Sequence, residues 1–295
     1  MKSAIAGVTI LLWFVRSPPA SPAEGGAPAR FFFIQLSDPQ FGFFEDNKGF
    51  SRESANLEKV VEQVNRLKPA FVVVTGDLVN LPGDAAQAAE YLRIMKRVDP
   101  KIPIHSVPGN HDVDNVPTPG SIDWFRRTFG PDHGSFSVQG CSFLYLNSGL
   151  LVHPEKCPKE AEEQLRWFQA EIKRARSEKP LHFILFQHHP WYVGSPVEPD
   201  DYHNIPAARR KGCLDLLAKA GARATFAGHL HRSAEGRRTG AMEMVASGPV
   251  GKPLGADPSG LRVVWVFDDH LEHRYYGLEA VPAEVRTSGP HDRKF

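Results

Sequence analysis

Short, unbroken runs of apolar, β-branched and aromatic residues alternate with stretches of helical spacing, and this alternation limits the fold more than any other feature of the chain. The runs cover residues 31–36, 71–75, 104–107, 143–146, 182–186, 224–227, 242–246 and 263–267. Runs of this length without polar alternation suit strands buried on both faces. Between the early runs, Leu57, Val60, Val61, Val64 and Leu67 recur at spacings of three and four, and Pro69 follows the end of that face. Residues 85–98, 121–129, 160–175 and 207–218 also read as helices. Strand and helix in alternation predict an α/β domain. From Met242 to Tyr276 strand follows strand with no helix between, so the later part of the sheet is expected to be mixed.

Composition agrees with one globular body. Of 295 residues, 41% are hydrophobic and 23% charged, which excludes a disordered chain and supplies a sizeable core. Lys and Arg number 35 against 34 Asp and Glu, so no electrostatic case arises for nucleic acid or an anionic membrane. Lys2 followed by an apolar run over residues 4–15 reads as a secretory signal peptide. As a helix that run spans about 18 Å, too short for a bilayer core of about 30 Å. No transmembrane helix is therefore expected, and an uncleaved N-terminal anchor is the alternative to export. The expected division is a signal peptide over 1–23, a linker over 24–30, one catalytic domain over 31–280 and a loose polar tail over 281–295. A periplasmic or secreted bacterial protein follows from that start. Three cysteines are too few for a disulfide scaffold, although Cys141 and Cys157 could pair after export; Cys213 reads as a buried apolar residue.

The chemistry collects where the apolar runs end. Asp38-Pro39-Gln40 follows the first, Gly76-Asp77 the second and Gly109-Asn110-His111-Asp112 the third. His188-His189-Pro190 and Gly228-His229-Leu230-His231 follow two later runs. In an open α/β sheet the carboxyl ends of the strands form the ligand crevice, so residues distant in sequence are expected to converge there. Carboxylate, imidazole and amide oxygen make a mixed N/O donor set suited to Mn, Fe or Zn, and the lack of thiolate argues against a structural zinc. Taken singly, each piece has a plainer reading as a turn, a helix cap or a packed histidine. Five in order at five strand ends do not.

As a set these residues resemble the calcineurin-like metallophosphoesterase superfamily over about residues 31–278. Residues 37–42, 186–188, 260–264 and 273–276 further resemble the calcineurin-like phosphoesterase domain-containing protein 1 family, whose animal member is a cytosolic Ser/Thr protein phosphatase. The resemblance implies a four-layer α/β/β/α sandwich of mixed sheets with a dinuclear centre at its edge. It implies that Asp38, Asp77 and His231 hold a first divalent ion, that Asp77 bridges, and that Asn110, His188 and His229 complete the second. His111 would face substrate as a general acid or transition-state donor, with Asp112 orienting it and a water as nucleophile. His189 reads as a packing residue beside the ligand His188.

The sequence departs from the superfamily at Gln40, where His is usual. A carboxamide offers a harder, weaker ligand than imidazole, which would shift preference towards Mn or Mg, or only a hydrogen bond to bound water. No Tyr lies in the Gly76–Asn80 stretch, so the iron–tyrosinate colour of purple acid phosphatases is not expected. The Asp-Arg-Gly continuation of the large Ser/Thr phosphatases is also missing. Trp191 and Tyr192 could stack on a substrate or pack under their loop. Residues 200–204 read as a solvated loop that could shape specificity, and Arg209-Arg210-Lys211 as a solvated helix face. The expected substrate is a phosphorylated small molecule or a phosphoprotein, hydrolysed as a monoester. The alternatives are a phosphodiesterase acting on nucleotides or phospholipid head groups and, from another class, a non-catalytic binding module.

Overall fold

The computed structural model describes residues 29–240 and 242–289. The expected signal peptide and all but the last two residues of the linker lie outside the described residues. Among the described residues no helix is long and apolar enough to cross a membrane.

Two mixed sheets stack face to face. The first comprises β1 (Phe31–Leu36), β2 (Val72–Thr75), β3 (Ile104–Val107), β10 (Gly260–Val266) and β11 (Leu271–Gly277), in the order β11-β10-β1-β2-β3. β1, β2 and β3 run parallel; β10 and β11 join antiparallel. The second comprises β4 (Gly134–Val138), β5 (Cys141–Tyr145), β6 (Phe183–Phe186), β7 (Ala222–Ala227), β8 (Ala234–Thr239) and β9 (Met242–Ala246), in the order β4-β5-β6-β7-β9-β8. Within it β5, β6, β7 and β9 are parallel.

The period of two along each strand divides its side chains between two cores. In β1, Phe31 and Phe33 enter the core between the sheets, whereas Ile34 and Leu36 pack against α1 (Ser51–Leu67) and α2 (Ala85–Met95). In β6, Ile184 and Phe186 enter the inter-sheet core, whereas Phe183 and Leu185 pack against α6 (Pro158–Glu178) and α7 (Ala207–Lys219). The result is the expected α/β/β/α sandwich. Its centre is aromatic: Phe33 stacks on Phe71 with centroids 4.7 Å apart and meets Phe143, Phe186 and Phe226 edge-on. Each such ring contributes about 1.5–3 kcal/mol on burial.

Four sequence expectations need correction. Cys141 and Cys157 are both free and buried, and Cys157 Sγ donates to the Pro117 carbonyl instead of pairing. The tail is not loose over its described part: Val281 and Val285 pack on the first sheet's helical core, and the Arg286 carbonyl accepts from Trp265 Nε1 at 2.8 Å. The packed body also begins at Ala29, which is buried. Arg210 is not on a solvated face; it is 1% exposed, and its guanidinium donates to the carbonyls of Trp191 and Glu198. Its long side chain reaches inward to these backbone oxygens, while Arg209 and Lys211 on either side stay exposed.

Candidate metal centre

All five motif segments meet at the carboxyl ends of parallel strands. Asp38 and Gln40 follow β1, Asp77 follows β2, and Asn110–Val113 forms a one-turn helix, α3, after β3. His188 follows β6, and His229 and His231 follow β7. Five of the seven proposed ligands, Asp38, Gln40, Asp77, His229 and His231, have left-handed backbone with φ between 40° and 71°. Such conformations cost a non-glycine residue about 1–3 kcal/mol each and persist where surrounding structure enforces them. Here they turn the chain sharply as each strand ends, so that side chains fold back over the sheet edge. Gly109 is required for close approach: a Cβ there would lie 2.1 Å from Asp77 Oδ1.

Donor atoms of Asp38, Asp77 and His231 lie within 4.8 Å of one another, as do those of His188, His189 and His229. Backbone carbonyls, which only accept, fix the tautomers. His188 Nδ1 donates to Thr75 O at 2.9 Å, His229 Nε2 to Tyr202 O at 3.0 Å and His231 Nδ1 to Lys252 O at 2.6 Å. In the neutral rings the lone pairs are therefore on His188 Nε2, His229 Nδ1 and His231 Nε2. His188 Nε2 lies 3.2 Å from His229 Nδ1, 2.9 Å from Asn110 Oδ1 and 3.3 Å from Asp77 Oδ2. A proton on His188 Nε2, or a cation bound in its place, reconciles two imidazole nitrogens, an amide oxygen and a carboxylate at that range.

The electrostatics follow from this crowding. Burial disfavours charge on His188, but the Asp77 and Asp38 carboxylates outweigh it and raise the imidazole to about 9. Burial, with His188 beside it, lowers His229 to about 3. Burial would raise Asp77, yet the neighbouring His188 and His111 hold it below the usual carboxylate range. Asp38 is raised by burial, against the opposing pull of His231 and His188. Both carboxylates are at most 1% exposed, and their partners are a hydroxyl, backbone amides and imidazoles. Two buried acids that share one imidazolium are costly, and bound metal is the chemistry that removes the cost. Gln40 Oε1 is also buried, with no hydrogen-bond partner among the described residues. The donor set therefore fits divalent ions.

The remaining candidates divide. His111 donates its backbone N–H to Asp77 Oδ1 at 2.9 Å, and its Nδ1 is held by Asn80 O at 2.9 Å. Asp112 does not orient it: Oδ1 accepts from the N–H of Leu78 and Val79, and Oδ2 from that of Gly109. Asp112 thus clasps the loops after β2 and β3, because its one-turn helix aims the carboxylate inward while the imidazole of His111 points elsewhere. Burial and the Asp77 charge raise it to about 8, against the amides of Gly109 and Val79. His189 is buried beside the cluster, its ring 4.5 Å from that of His229, with Nδ1 2.9 Å from Ser148 Oγ. Trp191 and Tyr192 are fully buried and pack under their loop.

Sequence reasoning missed Tyr202. Its phenol oxygen accepts from Asn110 Nδ2 at 3.1 Å while its carbonyl holds His229, so one exposed residue orients two donors. The loop carrying it is tied by Glu198, whose carboxylate accepts from the N–H groups of Val193, Gly194 and Ser195 and from Asn204 Nδ2. The polar run 200–204 was the available signal.

Known proteins agree with this geometry. The family model described as calcineurin-like phosphoesterase matches residues 33–233. Serine/threonine-protein phosphatase CPPED1 of Bos taurus is 40% identical over 264 residues, covering 84% of each chain. The Homo sapiens protein of the same name is 39% identical over 297 residues, covering 95% of this chain and 94% of its own. The crystal structure of a dimetal phosphatase from Danio rerio superposes with a TM-score of 0.62 at 16% identity, covering 85% of this chain and 97% of that one, a likeness of fold. In sequence, fold and the convergence of its motif residues, this chain belongs to the calcineurin-like phosphoesterase family.

Proposed function

We propose that the chain is a metal-dependent phosphomonoesterase acting on phosphoproteins. The observation that carries this is the convergence of His229 Nδ1, Asn110 Oδ1 and Asp77 Oδ2 on His188 Nε2, next to the Asp38–Asp77–His231 group. Asp38, Gln40, Asp77 and His231 would hold one divalent ion, and Asp77, Asn110, His188 and His229 the other. When bound, two such ions supply Lewis-acid neutralisation of phosphoryl oxygens and activation of water at neutral pH. Within the chain, Tyr202 and the Thr75 and Lys252 carbonyls keep the ligands in register. His111, with Nδ1 occupied by a carbonyl, presents Nε2 for proton donation or hydrogen bonding to substrate. The phosphoprotein substrate rests on the name shared by the CPPED1 relatives. The identity of the ions, Mn, Fe, Zn or Mg, belongs to the same proposal, as does export directed by residues 1–23.

The test compares kcat/KM on p-nitrophenyl phosphate and on bis-p-nitrophenyl phosphate with Mn2+ present, using Asp77→Asn as control. Strong preference for the monoester, followed by turnover of phosphoserine peptides, is the expected result. Preference for the diester would redirect the search to nucleotides and lipid head groups.

A further inference from the structure

We propose that Gln87, Asn47 and Asn80 form a one-way amide relay that fixes Gln40 with its oxygen, not its nitrogen, as the free end offered to the first metal ion. An amide group has two nearly equal-shaped ends, and only the oxygen binds a cation. The direction of the relay is set at its origin. Gln87 Oε1 accepts from the backbone N–H groups of Asn80 and Leu81, both at 3.0 Å, and a backbone N–H can only donate. Gln87 must therefore donate through Nε2, which it does to Asn47 Oδ1 at 2.9 Å. Asn47 Oδ1 also accepts from Asn80 Nδ2 at 2.8 Å. Asn80 is then turned so that its Oδ1 accepts from Gln40 Nε2 at 3.0 Å. The end left over is Gln40 Oε1, buried and without a partner among the described residues.

The local structure is arranged around this chain of amides. Asp84 caps α2 by accepting from Ala86 and Gln87 N–H, which places Gln87 in the first turn. Gly42, at φ 104°, makes room: a Cβ there would lie 2.5 Å from Gln87 Nε2 and 2.8 Å from Asn47 Oδ1. The Gln40 N–H is bonded to Asp77 O at 2.8 Å, so the residue is wedged between the loops that carry the two carboxylates. The relay also gives the departure from the usual His a physical consequence. An imidazole needs only the correct tautomer, whereas a carboxamide needs the correct flip. In return, the position gains an oxygen ligand of the kind that suits Mn2+ or Mg2+. Asn80, Asn47 and Gln87 are positioning residues for this ligand.

The inference rests on the metal-dependent reading, and the experiment separates the two. Chelator-stripped protein is titrated with Mn2+ by calorimetry. Wild type is expected to bind two ions. Asn80→Leu, which keeps the carbonyl that holds His111, should weaken one site by about 10–100-fold, the usual cost of losing a group that orients a ligand. Asn47→Gly, an exposed position with φ 64° that glycine tolerates, should weaken the same site to a smaller degree and guards against misfolding of the first variant. In a Gln40→Glu background both terminal oxygens are ligands, so orientation carries no information and Asn80→Leu should cost less than about threefold. Unchanged affinity in Asn80→Leu and Asn47→Gly, or an undiminished loss in the Gln40→Glu background, overturns the relay. Wild type that binds no Mn2+, like Asp77→Asn, overturns the metal-dependent reading itself.

Discussion

Asp77→Asn is expected to lower kcat on a phosphomonoester by at least about 10³-fold, equivalent to about 4 kcal/mol of transition-state stabilisation, with the fold retained. Asp77 is the only proposed ligand that belongs to both positions. Its Oδ1 accepts the His111 N–H at 2.9 Å, and its Oδ2 faces His188 Nε2 at 3.3 Å. Asparagine has the same shape but one acceptor fewer and no charge. Turned one way it loses the oxygen facing His188; turned the other it sets an N–H against the His111 amide. Either way the buried charge that draws cations to the site is gone. The fold should survive because a neutral isostere removes an expensive buried carboxylate without opening a cavity. Metal content and circular dichroism, measured beside kcat, separate the causes. Activity within tenfold of wild type would sink the shared-carboxylate mechanism.

The layout of this site was legible because the chemistry lies in short segments directly after strands. Gly-Asp, Gly-Asn-His and Gly-His-x-His each sit where a continuous apolar run stops, and a parallel strand has only one carboxyl end. Every predicted apolar run formed a strand, with ends shifted by no more than three residues. β4 and β8 were not read. β4 is Gly-Ser-Phe-Ser-Val, too short and too polar to stand out, and β8 is an edge strand whose sequence, Ala-Glu-Gly-Arg-Arg-Thr, has no apolar face. Edge strands are expected to be polar, so composition hides them. Roles fixed by distant contacts were also invisible. Tyr202 meets Asn110 across 92 residues, and Gln40 meets Asn80 across 40. Asp112 was misread for the opposite reason. Adjacency to His111 suggested a partnership, but neighbours in a helix turn point in different directions. The aspartate joins backbone amides of two loops instead.

His111→Ala should leave two bound ions in place and lower kcat by about 10²–10⁴-fold, the range of a positioned proton donor. The structure separates His111 from the ligand histidines in two ways. Its ring is absent from the groups of clustered donor atoms, and it is partly exposed where His188, His229 and His231 are buried. Its backbone N–H holds Asp77, and alanine keeps that bond. The Asn80 carbonyl keeps the proton on Nδ1, so the neutral ring offers a lone pair at Nε2, and a donor there once protonated. Leaving groups then distinguish its role. Nitrophenolate departs without a proton, whereas a serine alkoxide needs one. A general acid should therefore cost more on a phosphoserine peptide than on p-nitrophenyl phosphate, while a hydrogen bond to the phosphoryl oxygens should cost the same on both. Loss of metal in this variant would make His111 a structural ligand, and unchanged kcat on both substrates would remove it from the chemistry. The comparison matters because a serine alkoxide is the poor leaving group that a protein phosphatase has to expel, and the carbonyl at Nδ1 of His111 leaves Nε2 as the ring nitrogen to protonate it.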